Sequence, residues 1–348
     1  MNLLKILANP GQDFRQYYDA IYMILHNLGN PYQFLTTSPG PFNYPPPVFL
    51  FLFPFGFFGL STSWYIWVIL ALLSLFVSMF LLLKLSNKLT PLSYLVAPIL
   101  LWFLFFPTKF TLGMGQINLF ILLFITLTIY FYHRKNYSAS AFFLALAAVI
   151  KLSPGLLALY FIYTKDFKTL VKFIFIVLSL LLLSLPLMTF NYQSVYYFDV
   201  FFRAFGLAGK DIYYNQSLIA FLSRSLASQT LIAYIYYAFI LFSLWYIRKS
   251  SGLKLWGYLT CLVLLLNPLA WQHYFVLAII PLILLPANPL AYLLLAWNWP
   301  VPGSVPRELW PHQFFGALLL LFNYKYFWVI IITLVYFFSL LCKGGYCF

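Results

Sequence analysis

The sequence predicts an all-α fold, a polytopic bundle of roughly 9–11 membrane-spanning segments with extracytoplasmic interfacial helices. Three observations carry this. The chain of 348 residues is 64% apolar, 22% aromatic and 7% charged, whereas an ordinary soluble domain is about one quarter charged. Its apolar runs approach or reach the roughly 20 residues that a spanning helix needs. Its basic residues fall in short clusters between those runs. The runs are too long and too continuous for barrel strands, so helices are the remaining spanning solution.

The elements follow in order. Residues 1–9 are too short for a signal peptide and lack a small-residue cleavage site. "GQDFRQYYDA", residues 11–20, holds Asp13 and Asp19, two of only six acidic residues. Phe14, Tyr17, Tyr18 and Tyr22 interleave with charge here, the pattern of an interfacial amphipathic helix with aromatics at headgroup level. Asp13 and Tyr17 share a helical face, while Asp13 and Asp19 point about 120° apart. The two carboxylates therefore do not converge on one bond or one metal. "FNYPPPVF", residues 42–49, is read as a stiff extended lead-in presenting Tyr44, because each proline pushes its predecessor out of the α region; a plain helix start is the other reading. Residues 48–60 are too short for a full span and read as re-entrant or tilted.

Residues 64–83 form an uncharged apolar run. Further runs are predicted at 92–107, 117–132, 139–163, 173–190, 230–247 and 255–271. Shorter ones follow at 274–286, 290–299, 314–322 and 326–342. We read one integral membrane domain over 1–348, with 1–47 as an extracytoplasmic lead-in bearing the interfacial helix and 48–348 as the transmembrane bundle. The net charge of +14 arises from 20 basic residues. Lys84/Lys88, Arg134/Lys135, Lys165/Lys168/Lys172 and Arg248/Lys249/Lys254 are explained by positive-inside topology rather than by a nucleic-acid partner. They would face the cytoplasm, leaving the loops near Gly115, 192–228 and Gln272 on the outer face. Three cysteines make no disulfide framework. Cys261 reads as a small apolar residue within a span; Cys342 and Cys347 could pair if the C-terminus is outside.

Polar groups at membrane depth are the informative ones. In "GMGQIN", glycines break the chain before Gln116 and Asn118. Asn118 reads either as a helix cap or, with Gln116, as an amide pair that gives and takes hydrogen bonds with sugar hydroxyls. Lys151 interrupts the run 139–163 near its centre, beside the helix breaker Pro154. An ammonium there calls for an anion or a wet cavity. "YYNQSLIAFLSR" places Asn215, Gln216 and Ser217 two turns before Arg224, as an N-cap with a surface charge or as part of a site. His273 sits between two apolar runs on the same outer side, as a structural or a functional histidine.

"GQDFRQYYDA", "GNPY", "YPPP", "GQIN", "IKLSP", "NQSL…SR" and "W-x-HYF" occur in an order that resembles glycosyltransferase family 87. These are polyprenyl-phosphate-mannose-dependent mannosyltransferases of the GT-C superfamily. The motifs run from residue 11 to about 275; the tail after Pro286 resembles no named family. The resemblance implies a GT-C-type membrane enzyme of the cell envelope, active on the extracytoplasmic face. It would move a hexose, mannose in that family, from a polyprenyl-phosphate donor to a glycolipid or glycan hydroxyl with inversion. Carried over by motif, the family's aspartate falls on Asp13 as general base, and Asp19 is left to solvent. The family has a full transmembrane helix before this aspartate, and residues 1–11 are too short for one.

The residues suit that chemistry. One carboxylate suffices as base in an inverting displacement. Lys151, with Arg224 and His273 behind it, would receive the departing phosphate. Tyr44, Gln116, Asn118, Asn215 and Gln216 would hold sugar hydroxyls. No metal or other cofactor is expected, since only Asp13, Asp19, Asp199 and Asp211 lie on the outer side. The competing readings are a transporter or lipid flippase and an inactive GT-C-like scaffold. A transporter would line a path through both leaflets with polar groups; a transferase would gather them at one outward cavity.

Overall fold

The computed structural model describes residues 8–34, 42–88, 90, 104–202, 214–226, 228–296 and 312–322. Among them the secondary structure is helical, with one isolated β-bridge between Asn215 and Trp271. Predicted runs 92–107 and 326–342 lie mostly or wholly outside these residues, as do Asp211, Cys342 and Cys347.

The first helix, α1 (Gln12–Leu25), buries Asp13, Phe14, Gln16, Tyr17, Ala20 and Ile21 along one face. Asp19, Arg15 and Tyr22 are exposed. Phe14 and Tyr17 face the protein rather than its surroundings. They are fully buried, with the Phe14 ring packed at a tilt 5.2 Å from both Trp64 and Trp67. Aromatics facing a protein surface bury more area there than at a lipid boundary, which seats the helix on the bundle.

The triple proline is not extended. The carbonyls of Pro45, Pro46 and Pro47 accept from Val48, Phe49 and Leu50, and Pro47 is helical at φ −63°, ψ −13°. Proline suits a first helical turn, where its missing N–H would be orphaned anyway. The short helix α2 (Val48–Leu52) follows at once and passes into a 3₁₀ turn, Phe53–Phe57. Neither is long enough to span.

Next comes α3 (Leu60–Leu85), then α4 (Phe106–Met114) and α5 (Asn118–His133). The last two meet at a 120° bend. Then α6 (Tyr137–Ile150) ends one residue before Lys151, whose backbone is extended, and a 3₁₀ helix starts at Ser153. The run 139–163 is thus broken where Pro154 removes a backbone donor. After α7 (Phe167–Leu183) and α8 (Leu218–Ser225), α9 (Gln229–Ile247) and α10 (Gly252–Leu266) form a hairpin. The predicted run 255–271 stops at Asn267, before Pro268. The 3₁₀ helix Gln272–Ala278 continues into α11 (Ile279–Leu284), and α12 (Pro289–Ala296) follows. Side chains of Asn136, Asp166, Ser217 and Ser228 cap α6, α7, α8 and α9. Asn118 is no cap; the capping position is Ile117.

Among the described residues, α3 and α9 are long and apolar enough to cross a membrane alone, and α4 with α5 would add a third span only as a bent pair. The other predicted runs that fall within the described residues appear as shorter or broken helices. In α7, Thr169 is the one buried residue, and Phe175 is 70% exposed. So wide an apolar face is a liability in water and costs nothing in lipid.

In packing order, α3 lies on α5, α5 on α6, and α6 on α7. Chain direction sorts the bundle ends. The bend before α5, the end of α6 and the 3₁₀ helix Gln272–Ala278 lie at one end. The other end holds Lys84, Arg134, Lys135, Lys165 and Arg248 at helix termini or adjoining turns. Tyr160 and Trp256 stack there at 3.9 Å, and Lys88 Nζ donates to the Ile283 carbonyl at 2.7 Å.

The crossing of α1 over the α4–α5 bend requires glycine. Gly115 has φ +71°, and a Cβ there would lie 2.5 Å from Phe14 Cβ and 2.8 Å from the Trp64 ring. Gly252 also has positive φ, at +57°, but open space around it. Gly252→Ala should therefore cost only the left-handed backbone term, about 1 kcal/mol. Gly115→Ala should cost that plus the clash, about 2–4 kcal/mol in all. Thermal melts of the two purified variants in detergent check this; equal melting losses would count against the crossing.

Candidate active site at the bend

Asp13 enters the site because α1 is pinned to the bend at its first turn. A Cβ on Gly11 would strike the Met114 backbone, so only glycine allows this approach. The bend turns at Gly115, and Gln116 follows it directly. Gln116 Nε2 donates to Asp13 Oδ2 at 2.5 Å. Its carbonyl Oε1 lies 3.1 Å from the hydroxyls of both Tyr17 and Tyr44, which are 2.6 Å from each other. The Tyr32 hydroxyl in turn donates to the Tyr44 carbonyl at 2.8 Å. The amide is thus oriented by two phenols, so that its NH₂ faces the carboxylate.

This carboxylate is buried, and burial pushes its pKa up to about 6; the hydrogen bond from Gln116 and then the charge of Lys151 oppose that rise. Burial also raises Tyr17 and Tyr44 above the usual phenol range, so both remain donors.

Two residues beyond Gln116, the fully buried Asn118 begins α5. Its Oδ1 accepts from Lys151 Nζ at 3.2 Å. The ammonium also lies 4.2 Å from the centroid of the Tyr274 ring. Asp13 and Lys151 are therefore not paired directly. They flank the segment 116–118, one at each amide. The structure brings together five of the residues singled out in the sequence: Asp13, Tyr44, Gln116, Asn118 and Lys151.

His273 is on the adjoining 3₁₀ helix. Thr111 of α4 donates to its backbone carbonyl at 2.8 Å, and its ring lies between Phe110 and Trp271. Asn215, Gln216 and Arg224 form a separate brace. Asn215 Nδ2 donates to the Pro268 carbonyl at 2.8 Å, and its Oδ1 accepts from Ser217 N. Gln216 Oε1 accepts from Gln313 N at 3.1 Å. Arg224 Nη1 donates to the Asn215 carbonyl at 3.0 Å. With the backbone bonds Gln216 N to Ala270 O and Gln272 N to Tyr214 O, both 2.9 Å, this brace fixes the loop that leads into His273 and Tyr274.

Sequence reasoning placed Tyr17 on the Asp13 face but assigned it no role, and it passed over Ser153 and Tyr274. The i, i+4 spacing of Asp13 and Tyr17 was the available signal; no spacing announces a contact between Ser153 and Tyr274, 121 positions apart. Asp19 is exposed on the far side of α1, away from Asp13. Among the described residues no three His, Cys, Asp or Glu side chains gather as metal ligands.

Neither a curated protein nor a solved structure is significantly similar to the chain. A sequence model of glycosyltransferase family 87 matches residues 42–270. That stretch contains Tyr44, Gln116, Asn118, Lys151, Asn215, Gln216 and Arg224, while Asp13 and His273 flank it. It spans more than half of the protein and supplies the bend, the broken α6 and most of the brace; the chain belongs to glycosyltransferase family 87 and is a glycosyltransferase.

Proposed function

We propose that the protein is an inverting, metal-independent transferase of the GT-C type. It moves a hexose, in our reading mannose, from a polyprenyl-phosphate donor to a hydroxyl of a glycolipid or glycan. The active site would open on the extracytoplasmic side of the cell membrane. The observation that carries the reading is a buried carboxylate and a half-buried ammonium held at the two amides of one bend.

The step balances with these groups. Asp13 takes the proton from the acceptor O–H. The acceptor oxygen attacks the anomeric carbon from the face opposite the phosphate. The C1–O bond to phosphate breaks, and its electron pair leaves with the phosphate oxygen, whose charge Lys151 receives. Arg224 and His273, on the braced segments, would supply a second rank of phosphate contacts. Tyr44, Gln116 and Asn118 would meet sugar hydroxyls as well as positioning Asp13 and Lys151; Asn215 and Gln216 would act there through the loop they brace. A carboxylate with pKa near 6 is ionised at neutral pH yet more basic than a solvated one, which suits a general base.

A lipid-linked donor is supported by an apolar groove of about 300 Å³ lined by Pro45, Pro47, Val149, Leu152, Phe173 and Leu178, among others. Pro45 adjoins Tyr44 in the chain, and Leu152 adjoins Lys151, so an isoprenoid tail in the groove would bring its headgroup to the bend. The transporter reading asks for polar groups along a path through both leaflets. The interior hydroxyls of Ser74, Ser78 and Thr128 instead bond to carbonyls one turn back in their own helices.

Assay of the purified full-length chain with radiolabelled polyprenyl-phosphate sugars and candidate glycolipid acceptors tests the reading directly. Asp13→Asn should lower transfer by about 10²–10⁴-fold, because asparagine keeps an acceptor for Gln116 but takes no proton. It should not destabilise the protein at neutral pH. A folded pKa above the usual carboxylate value means the protonated native form is favoured at low pH, and that advantage is lost as pH rises through about 6. At pH 7.5, then, removing the buried charge should leave the melting temperature equal to or above wild type. Retained turnover in Asp13→Asn would remove this residue as the base.

Wild-type kcat/KM should fall as pH drops through about 6. Gln116→Leu deletes a hydrogen bond that lowers the Asp13 pKa, so its acid limb should move to higher pH, as read from pH–rate profiles of the two proteins. Chelator treatment should leave turnover unchanged; loss restored by magnesium or manganese would argue for a metal.

A further inference from the structure

Among the described residues no carboxylate is hydrogen-bonded to Lys151. Its ammonium meets the Asn118 amide oxygen at 3.2 Å and the face of Tyr274 at 4.2 Å. Both partners are neutral, so neither cancels the charge that the lysine carries. Two of its three N–H donors have no protein partner among the described residues. Tyr274 is itself fully buried, and its hydroxyl lies 2.5 Å from Ser153 Oγ. Ser153 stands two residues after Lys151, at the first position of the 3₁₀ helix that follows the break in α6. The ring is therefore bolted to the same short segment that carries the ammonium. Without such a hold, the long lysine side chain would have several rotamers and a route to snorkel away.

We propose that Tyr274 is a positioning residue for Lys151: its ring face and its bond to Ser153 hold the ammonium ready for the donor's phosphate while leaving its charge unspent. A carboxylate in the same place would pin the lysine equally well but would neutralise it and compete with the phosphate. An aromatic face attracts a desolvated cation and offers a phosphate no competing negative charge. The proposal rests on the phosphate role assigned to Lys151 above, and the test separates the two.

Equilibrium binding of polyprenyl monophosphate to the purified full-length chain is the readout, with the matching polyprenol, which lacks phosphate, as control. Lys151→Met should weaken binding of the phosphate and leave polyprenol binding unchanged. Tyr274→Leu should weaken phosphate binding about tenfold, the size of a desolvated cation–π contact, again without effect on polyprenol. Because Tyr274→Leu alters a buried site, an isosteric series accompanies it. Replacement of Tyr274 by phenylalanine and then by mono-, di- and trifluorophenylalanine keeps the shape and progressively drains the ring face. The phosphate Kd should rise step by step along the series, and should be flat along it in a Lys151→Met background. Ser153→Ala should weaken phosphate binding by a few-fold.

A flat series in the wild-type background, with Lys151→Met still weakening phosphate binding, overturns the role of Tyr274 and leaves that of Lys151 standing. If Lys151→Met itself leaves phosphate binding unchanged, the phosphate role of Lys151 falls, and this proposal with it.

Discussion

The site depends on one hydrogen bond, from Gln116 Nε2 to the buried carboxylate of Asp13. A carboxylate taken out of water without compensation would simply protonate. Here the amide, itself fixed by two phenols, offsets part of the burial cost, and the nearby lysine offsets a smaller part. The group stays ionisable near neutrality instead of becoming an inert acid. Much of the surrounding structure serves that contact. Glycines at 11 and 115 let two backbones approach, Trp64 and Trp67 seat Phe14, and Tyr32 holds the Tyr44 backbone.

The second organising constraint is the broken helix. A continuous helix through residues 139–163 would have left Lys151 on a helical surface, free to stretch toward a headgroup. Ending α6 at Ile150 and restarting at Ser153 instead places the lysine in a short extended link between packed segments. The unsatisfied backbone at such a break is tolerated at membrane depth only when it is buried in protein or lines a cavity. The same logic applies at the α4–α5 bend and at Asn267–Trp271. Three interruptions of helix meet at one end of the bundle, and the polar side chains of the site come from them and from the α1 segment that crosses over them.

How much of this was legible beforehand varies with the range of the interaction. The apolar runs gave the helices, and the prolines and glycines gave the breaks at 115 and 154, because chain geometry and donor loss are local properties. Scarcity drew attention to Asp13, and depth drew it to Lys151. The role of Gln116 was read only as contact with sugar, since nothing in its neighbourhood announces an aspartate 103 positions earlier. Asn215 and Gln216 were read in the same way, and their side chains turn out to be engaged in bracing a loop that lies far along the chain. The triple proline was expected to be extended, yet its fixed φ is equally good for a first helical turn, and the packing of α2 selects that outcome.

By itself, the sequence determined that the chain is helical, apolar enough for lipid, broken at identifiable residues, and furnished with a few polar groups where lipid would reject them. Those properties follow from composition, periodicity and backbone chemistry, each readable within a few residues. The tertiary structure alone decided which polar groups meet. Asp13 with Gln116, Lys151 with Asn118 and Tyr274, and Tyr274 with Ser153 are pairings between distant segments. They arise from how helices pack and cross, and a linear pattern holds no record of that geometry.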